Sequence, residues 1–378
     1  MPKDVKPETI AAQAGGIVDE ATGAIVPAIH TATTFIRDPD NQYRRGFGYA
    51  RPDSPTVRQA EAVLQALEGA DACLMFGSGM AAATTAFLAL ERPAHVVAPL
   101  VMYWALKKWL AEDARGLGVE ATFVDATSTE AIGAAIRPGK TRLVWIETPA
   151  NPMWGLSDIA AAAAIAHEAG ARLGVDSTVA TPVLTRPLAL GADIVMHSAT
   201  KYLNGHSDVL AGALVFARKD DAFERAAGIR ANLGAVLAPF EAALLIRGMR
   251  TLHLRVRHES ASAFTLARRL AQDARIAEVL YPGLQSHVGH EVALRQMQGG
   301  FGGMLSVRVK GGEAAAIRAA AKVTIWKRAT SLGGVESLLE HRASVEGPGT
   351  PCPADLLRLS VGLEDPDDLL RDLDQALR

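Results

Sequence analysis

Cysteine is nearly absent from this chain, with two in 378 residues. Cys73 and Cys352 cannot build a disulfide framework, and their isolation argues against a structural zinc site. Charge of one sign is also missing. The formal net charge is -2 and no basic block stands out, so nothing supports a nucleic-acid partner. No apolar run reaches the roughly 18 residues of a membrane span, so no membrane partner is expected. Met1 to Gly16 lacks a basic segment followed by an apolar one, and the expectation is a cytoplasmic protein. The ten histidines are dispersed. His287 and His290 share a helical spacing but have no second pair of ligands nearby, so no metal is expected. Internal repeats and low-complexity tails are absent too.

What is present is an ordinary globular composition, 49% hydrophobic and 21% charged. The length suits two or three domains or one large α/β unit. Residues 1–45 read as a loosely structured arm, with Gly15-Gly16 and Asp38 to Asn41 interrupting any periodicity. Thr56 to Ala70 has amphipathic spacing, with Thr56 as N-cap. From there, short apolar runs alternate with helical stretches. Ala72 to Phe76, His95 to Pro99, Arg142 to Ile146, Arg172 to Val175 and Ala192 to His197 read as strands. Tyr103 to Ala111 and the alanine-rich Ile159 to Ala169 read as helices. The alternation predicts a mostly parallel sheet with helices on both faces, spanning residues 46–240. Past Pro239 the pattern changes to a long helical stretch, Phe240 to Asp273, and an alternating strand, Phe301 to Val309. Residues 241–378 are therefore expected to form a smaller C-terminal α+β domain.

Ligands of open α/β sheets bind beyond the carboxyl ends of the strands. The most informative such end is Asp193 to Tyr202, where an apolar run stops at Ser198, Thr200 and Lys201. A lysine leaving a buried strand is costly as a cation, so its pKa falls, as a Schiff-base lysine requires. The hydroxyls beside it suit a phosphate. Together they point to pyridoxal phosphate (PLP) held covalently by Lys201. Gly77-Ser78-Gly79-Met80 offers backbone N–H groups to an anion at a helix N-terminus, or simply makes a turn. Asp176 suits a protonated pyridine nitrogen, or a helix N-cap. Tyr103 suits stacking on a flat cofactor, or packing. Arg358, inside the apolar run Leu357 to Val361, requires a carboxylate, either internal or from an amino-acid substrate. A rival reading of Ser198-Ala199-Thr200-Lys201 is the S-x-x-K motif of serine acyl hydrolases. Its companion elements stay incomplete, since Ser207-Asp208 runs into Val209 and Lys140-Thr141 into Arg142.

The ordered set Tyr49-Ala50-Arg51, Gly77 to Met80, Glu147 to Pro152, Val175 to Thr178, His197 to Tyr202, Arg247-Gly248, Ser331 to Ser337 and Arg358 to Gly362 resembles one family. It is that of the Cys/Met-metabolism PLP enzymes, which includes cystathionine γ-synthase, γ-lyase and β-lyase and methionine γ-lyase. The resemblance runs from about Thr31 to Leu373. It implies PLP-dependent transferase fold type I and a homotetramer of two active dimers, with the 1–45 arm contacting a neighbouring subunit. Lys201 would carry the cofactor and act as general base, Asp176 would face the pyridine nitrogen, and Tyr103 would stack on the ring. Ser198, Thr200 and the amides of Gly79 and Met80 would bind the phosphate, joined by Tyr49 and Arg51 of the neighbour. Asn151, Ser331 and Arg358 would orient the substrate carboxylate, Asn151 also lying near the ring.

The implied reaction makes or breaks a C–S bond at Cγ of cystathionine or an O-acylated homoserine. β-Elimination on cystathionine or a cysteine conjugate is the runner-up within the family, and a non-catalytic PLP carrier is a further alternative. The chain departs from the family at Trp104-Ala105-Leu106, where Gly-Gly-Thr is common, and at Ser54-Pro55-Thr56 and Ser177. It also has Thr330 where γ-acting cystathionine enzymes often carry a glutamate.

Overall fold

Strands buried on both faces have no need to alternate, and here they do not. In the computed structural model, which describes residues 5–347 and 349–378, the first seven strands, apart from the third at the sheet edge, are continuous or nearly continuous apolar runs. They are β1 (Ala72–Phe76), β2 (Ala94–Pro99), β3 (Val119–Val124), β4 (Thr141–Glu147), β5 (Arg172–Asp176), β6 (Ile194–His197) and β7 (Gly212–Phe216). They form one sheet in the order β1-β7-β6-β5-β4-β2-β3. The neighbours from β6 to β3 pair in parallel, and β7 alone runs against its neighbours. Apolar clusters cover both faces. One buries Phe87, Trp145 and Leu214; another buries Val63, Met75 and Val215.

A second sheet follows: β8 (Ile276–Leu280), β9 (Met304–Val309), β10 (Lys327–Arg328), β11 (Leu338–His341) and β12 (Leu356–Ser360). Its order is β10-β11-β12-β9-β8, antiparallel except where β10 meets β11. It has its own core around Leu305, Trp326, Leu359 and Leu369. The mostly parallel sheet and the separate α+β unit are those expected. No described helix is long and apolar enough to cross a membrane.

Several boundaries differ from the sequence reading, each for a local reason. The amphipathic helix is Pro55–Glu68, and Ser54 rather than Thr56 holds the N-cap position. Pro55 takes the first helical position, where its missing N–H costs nothing. Thr56 Oγ1 instead accepts the His30 N–H at 2.9 Å. The stretch read as one helix over Phe240 to Asp273 is two, Pro239–Met249 and Leu252–Leu270. Arg255 reaches back across the break and donates to the Gly248 carbonyl at 2.8 Å, satisfying a helix-end acceptor. The strand expected from Phe301 starts at Met304, because Gly302 adopts a φ of 92° that no strand uses. The N-terminal arm contains one short helix, Pro7–Ala12, and a single 3₁₀ turn, Ala14–Gly16; its residues 1–4 lie outside the described residues.

One contact aims the end of β6 and another sets the turn after β1. His197 Nε2 meets Glu68 Oε1 at 2.6 Å, both side chains fully buried, which ties β6 to helix Pro55–Glu68. Gly212, paired with Phe76 across β1 and β7, lies against the next turn; a Cβ there would sit 2.1 Å from the Ser78 carbonyl oxygen. Gly212→Ala is therefore expected to push the Ser78–Gly79 turn outward and destabilise the protein by about 1–3 kcal/mol. Calorimetry should show a lower melting temperature; an unchanged one would mean that the close approach is not needed.

Candidate active site

A cavity of about 560 Å³ opens at the carboxyl ends of β4, β5 and β6. Gly79, Met80, Tyr103, Asn151, Asp176, Ser198, Thr200, Lys201, Ser331 and Arg358 all line it. Tyr49 and Arg51 do not. Tyr49 is 51% exposed under the Arg51 guanidinium, which donates to the Ala231 carbonyl at 3.0 Å.

Parallel register places Glu147 of β4 opposite Asp176 of β5. Both are buried, and burial pushes both carboxyls above their ordinary values. For Glu147 the neighbouring Asp176 adds to the rise. Two backbone donors oppose it without cancelling it: the N–H of Tyr103 at 2.7 Å and of Asn151 at 2.9 Å. Glu147 thus holds the start of the Tyr103 helix and the Asn151 turn at one strand end. Asp176 Oδ1 accepts both the N–H and the hydroxyl of Thr178, at 3.0 and 2.6 Å. Thr178 Oγ1 in turn accepts the Ser198 N–H at 2.8 Å. One threonine therefore joins the ends of β5 and β6.

Lys201 leaves β6 through a turn whose Nζ donates to Ser331 Oγ at 2.9 Å. Burial, followed by the charges of Arg358 and Arg342, lowers its pKa to about 8. Ser331 holds this position with a φ of 90°, strained for a residue with a Cβ. That conformation also presents its carbonyl to Arg358 Nη2 at 2.8 Å. Lys201 Nζ bonds to Ser331 rather than to the Ser198 hydroxyl, and Ser198 meets Lys201 only through its carbonyl, which accepts the Lys201 N–H at 3.1 Å, so the lysine is not placed as the base of a serine nucleophile. Thr200 Oγ1 is engaged by the Ala211 backbone, accepting its N–H at 2.9 Å and donating to its carbonyl at 3.0 Å.

The residues fit a phosphorylated pyridine aldehyde. Gly79 lies so close to Ser198 that a Cβ would sit 2.8 Å from its Oγ, leaving a compact cradle. Ser78 Oγ caps the helix Gly79–Leu88 at Ala81, and the first amides, Gly79 and Met80, remain as helix-end donors. A lysine of lowered pKa and a buried carboxylate face the same cavity. Among the described residues no cluster of ligating side chains suits a metal, and both cysteines are free.

The internal partner of Arg358, left open by the sequence, is Glu340. The two stand opposite each other in the β11–β12 ladder, with Nη2 2.8 Å from Oε2. Arg358 Nη1 also donates to Asn151 Oδ1 at 3.2 Å. Arg342 shares Glu340 from the other side at 3.0 Å. Sequence reasoning missed Glu340, Arg342 and the bridging role of Thr178. A signal existed for the first two: they are charges in or beside an apolar strand, as Arg358 is.

Because only the neutral amine of Lys201 attacks an aldehyde, the lowered pKa has a direct consequence. At pH 7 about one lysine in ten is neutral, against about three in ten thousand at the ordinary value. PLP added to the cofactor-free protein should attach at a rate that rises with pH and levels off above about 8. Stopped-flow absorbance measures this, and a rate still climbing through pH 10 would contradict the burial.

The family model described as Cys/Met metabolism PLP-dependent enzyme matches residues 8–378. Cystathionine gamma-synthase of Mycobacterium tuberculosis is 46% identical, covering 98% of this chain and 96% of the relative. Cystathionine gamma-lyase of Rattus norvegicus is 42% identical over 94% of this chain and 90% of the relative. L-methionine gamma-lyase of Pseudomonas putida is 40% identical over 94% and 93%. A crystal structure of metB from Corynebacterium glutamicum superposes with a TM-score of 0.96 at 40% identity, covering 100% of this chain and 99% of that one. The architecture is that of PLP fold type I, and the cofactor is pyridoxal phosphate. With the family matched across nearly the whole chain, the protein belongs to the Cys/Met-metabolism PLP-dependent enzymes.

Proposed function

We propose that the protein makes or breaks a C–S bond at Cγ of cystathionine or an O-acylated homoserine. The observation that carries this reading is the convergence of Lys201, Asp176 and Arg358 on one cavity. PLP, when bound, supplies an electron sink for the amino acid's Cα. Lys201 would hold the cofactor, and its amine, when free, would take the Cα proton and carry protons along the substrate. Asp176 would face the pyridine nitrogen and favour its protonated form. Tyr103, exposed at the cavity, would offer its ring to the cofactor. Ser198, Thr200 and the Gly79 and Met80 amides hold the phosphate; the Thr200 hydroxyl, bonded to Ala211, has one lone pair left and contributes only by exchanging its own donor. Arg358 and Asn151 take the substrate carboxylate, with Ser331 shaping that corner. The names of the relatives favour γ-chemistry over β-elimination.

Residues 46–240 would hold the cofactor, 241–378 would supply the carboxylate site, and 1–45 would reach a second copy. Ile25 and Ile36 of that arm are 78% and 86% exposed in the single chain, which suits burial in an assembly such as a homotetramer. Tyr49 and Arg51, away from their own cavity, would then serve the phosphate of the partner's site.

Product analysis tests the reaction. 2-Oxobutyrate from cystathionine, or cystathionine from O-acylated homoserine and cysteine, is expected; pyruvate with homocysteine would replace γ- by β-chemistry. Lys201→Ala should cut turnover by at least about a hundredfold. Sharing of sites is tested by mixing subunits. Arg51→Ala and Lys201→Ala proteins, each inactive, should regain up to about a quarter of normal activity after dissociation and reassociation, since mixed dimers carry one intact site. No recovery would place Arg51 in its own subunit's site.

A further inference from the structure

Both two-point faces of a guanidinium use Nη2. The side face pairs it with Nε, and the end face pairs it with Nη1. In Arg358, Nη2 donates to the Ser331 carbonyl at 2.8 Å and has Glu340 Oε2 at 2.8 Å. A substrate carboxylate docking on either face therefore arrives beside a carboxylate that is already there. In a buried site two carboxylates on one nitrogen repel strongly. Glu340 has another cation within reach: Arg342 Nη1 stands 3.0 Å from the same Oε2. Arg342 is buried, and its Nε is held by Glu346 Oε1 at 2.9 Å, so it stays in place when Glu340 moves. Arg358, Glu340 and Arg342 all line the cavity.

We propose that Arg342 is a positioning residue for substrate binding: it takes Glu340 over from Arg358 as the substrate carboxylate arrives. Glu340 keeps an ion pair throughout, so the buried charge is never left alone. Arg358 becomes free for two-point docking only in the liganded state. The inference rests on Arg358 as the carboxylate site, and not on which bond is broken afterwards.

The test uses the PLP-loaded protein and two amines that undergo no C–S chemistry. Alanine carries a carboxylate; ethylamine does not. Each is titrated while the absorbance of the bound cofactor is followed. Arg342→Met should raise the Kd of alanine roughly tenfold while leaving that of ethylamine within about twofold, a span ordinary for coupling within one ion-pair network. Adding Glu340→Gln to Arg342→Met should restore most of the alanine affinity, because the competing charge is gone. Equal weakening of both amines, or no restoration in the double variant, overturns the proposal. If Arg342→Met does not fold, Glu340→Gln alone decides. Tighter alanine binding supports the exchange, whereas weaker binding means that Glu340 only braces Arg358 and overturns it. Arg358→Leu separates the two layers: unchanged alanine binding there would remove the carboxylate site itself, whatever the reaction at Cγ proves to be.

Discussion

Charge kept out of water at the rim of a buried sheet is the constraint on which this site depends. Glu147 and Asp176 face each other from adjacent parallel strands, and Lys201 emerges one strand further on. Burial alone would drive all of them toward their neutral forms. The donors around the two carboxyls oppose this without cancelling it: Tyr103 and Asn151 amides on Glu147, and the amide and hydroxyl of Thr178 on Asp176. These bonds do structural work at the same time. They pin the segments that carry Tyr103, Asn151 and the Ser198 loop. The electrostatics and the geometry of the cavity are thus one arrangement.

The second sheet answers the first with the opposite sign. Arg358 is buried in β12, opposite Glu340 in β11. Unpaired, such a guanidinium would be severely destabilising; paired with one carboxylate it would be inert. Here one carboxylate lies between two guanidinium groups, which leaves the pair partly exchangeable. The two guanidinium groups, Arg358 and Arg342, also help to lower the pKa of Lys201, so the arginine pair and the lysine amine share one local field. Ser331 links the two, with its hydroxyl on Lys201 and its carbonyl on Arg358. Its strained φ is the kind of backbone outlier that persists only when several contacts over-determine it.

Trp104 and Thr330, which depart from the family pattern, both line the cavity with Leu210 and Val345. Trp104 stands next to Tyr103, their ring centroids 6.3 Å apart. Among the described residues lining the cavity, the acidic groups are Glu147, Asp176 and Glu340, and Glu340 is already committed to two arginines. The wall formed by Trp104, Leu210 and Val345 is therefore more apolar than the corner around Arg358.

Much of this was written locally. Runs such as Cys73 to Phe76 and Leu173 to Val175 declare buried strands, and Asp176, Ser198 and Lys201 declare chemistry at their ends, because burial and polarity at a strand end are properties of a few consecutive residues. The break near Thr251 and the late start of β9 were less visible, since both depend on contacts or glycine conformations set by the surroundings. The sequence alone determined which residues carry charge and on which elements they lie. Only the tertiary structure decided that Glu147 faces Asp176 and Glu340 faces Arg358. Those are cross-strand relations, and register is set by long-range packing of whole faces: a slip of one residue would have turned every one of these side chains away.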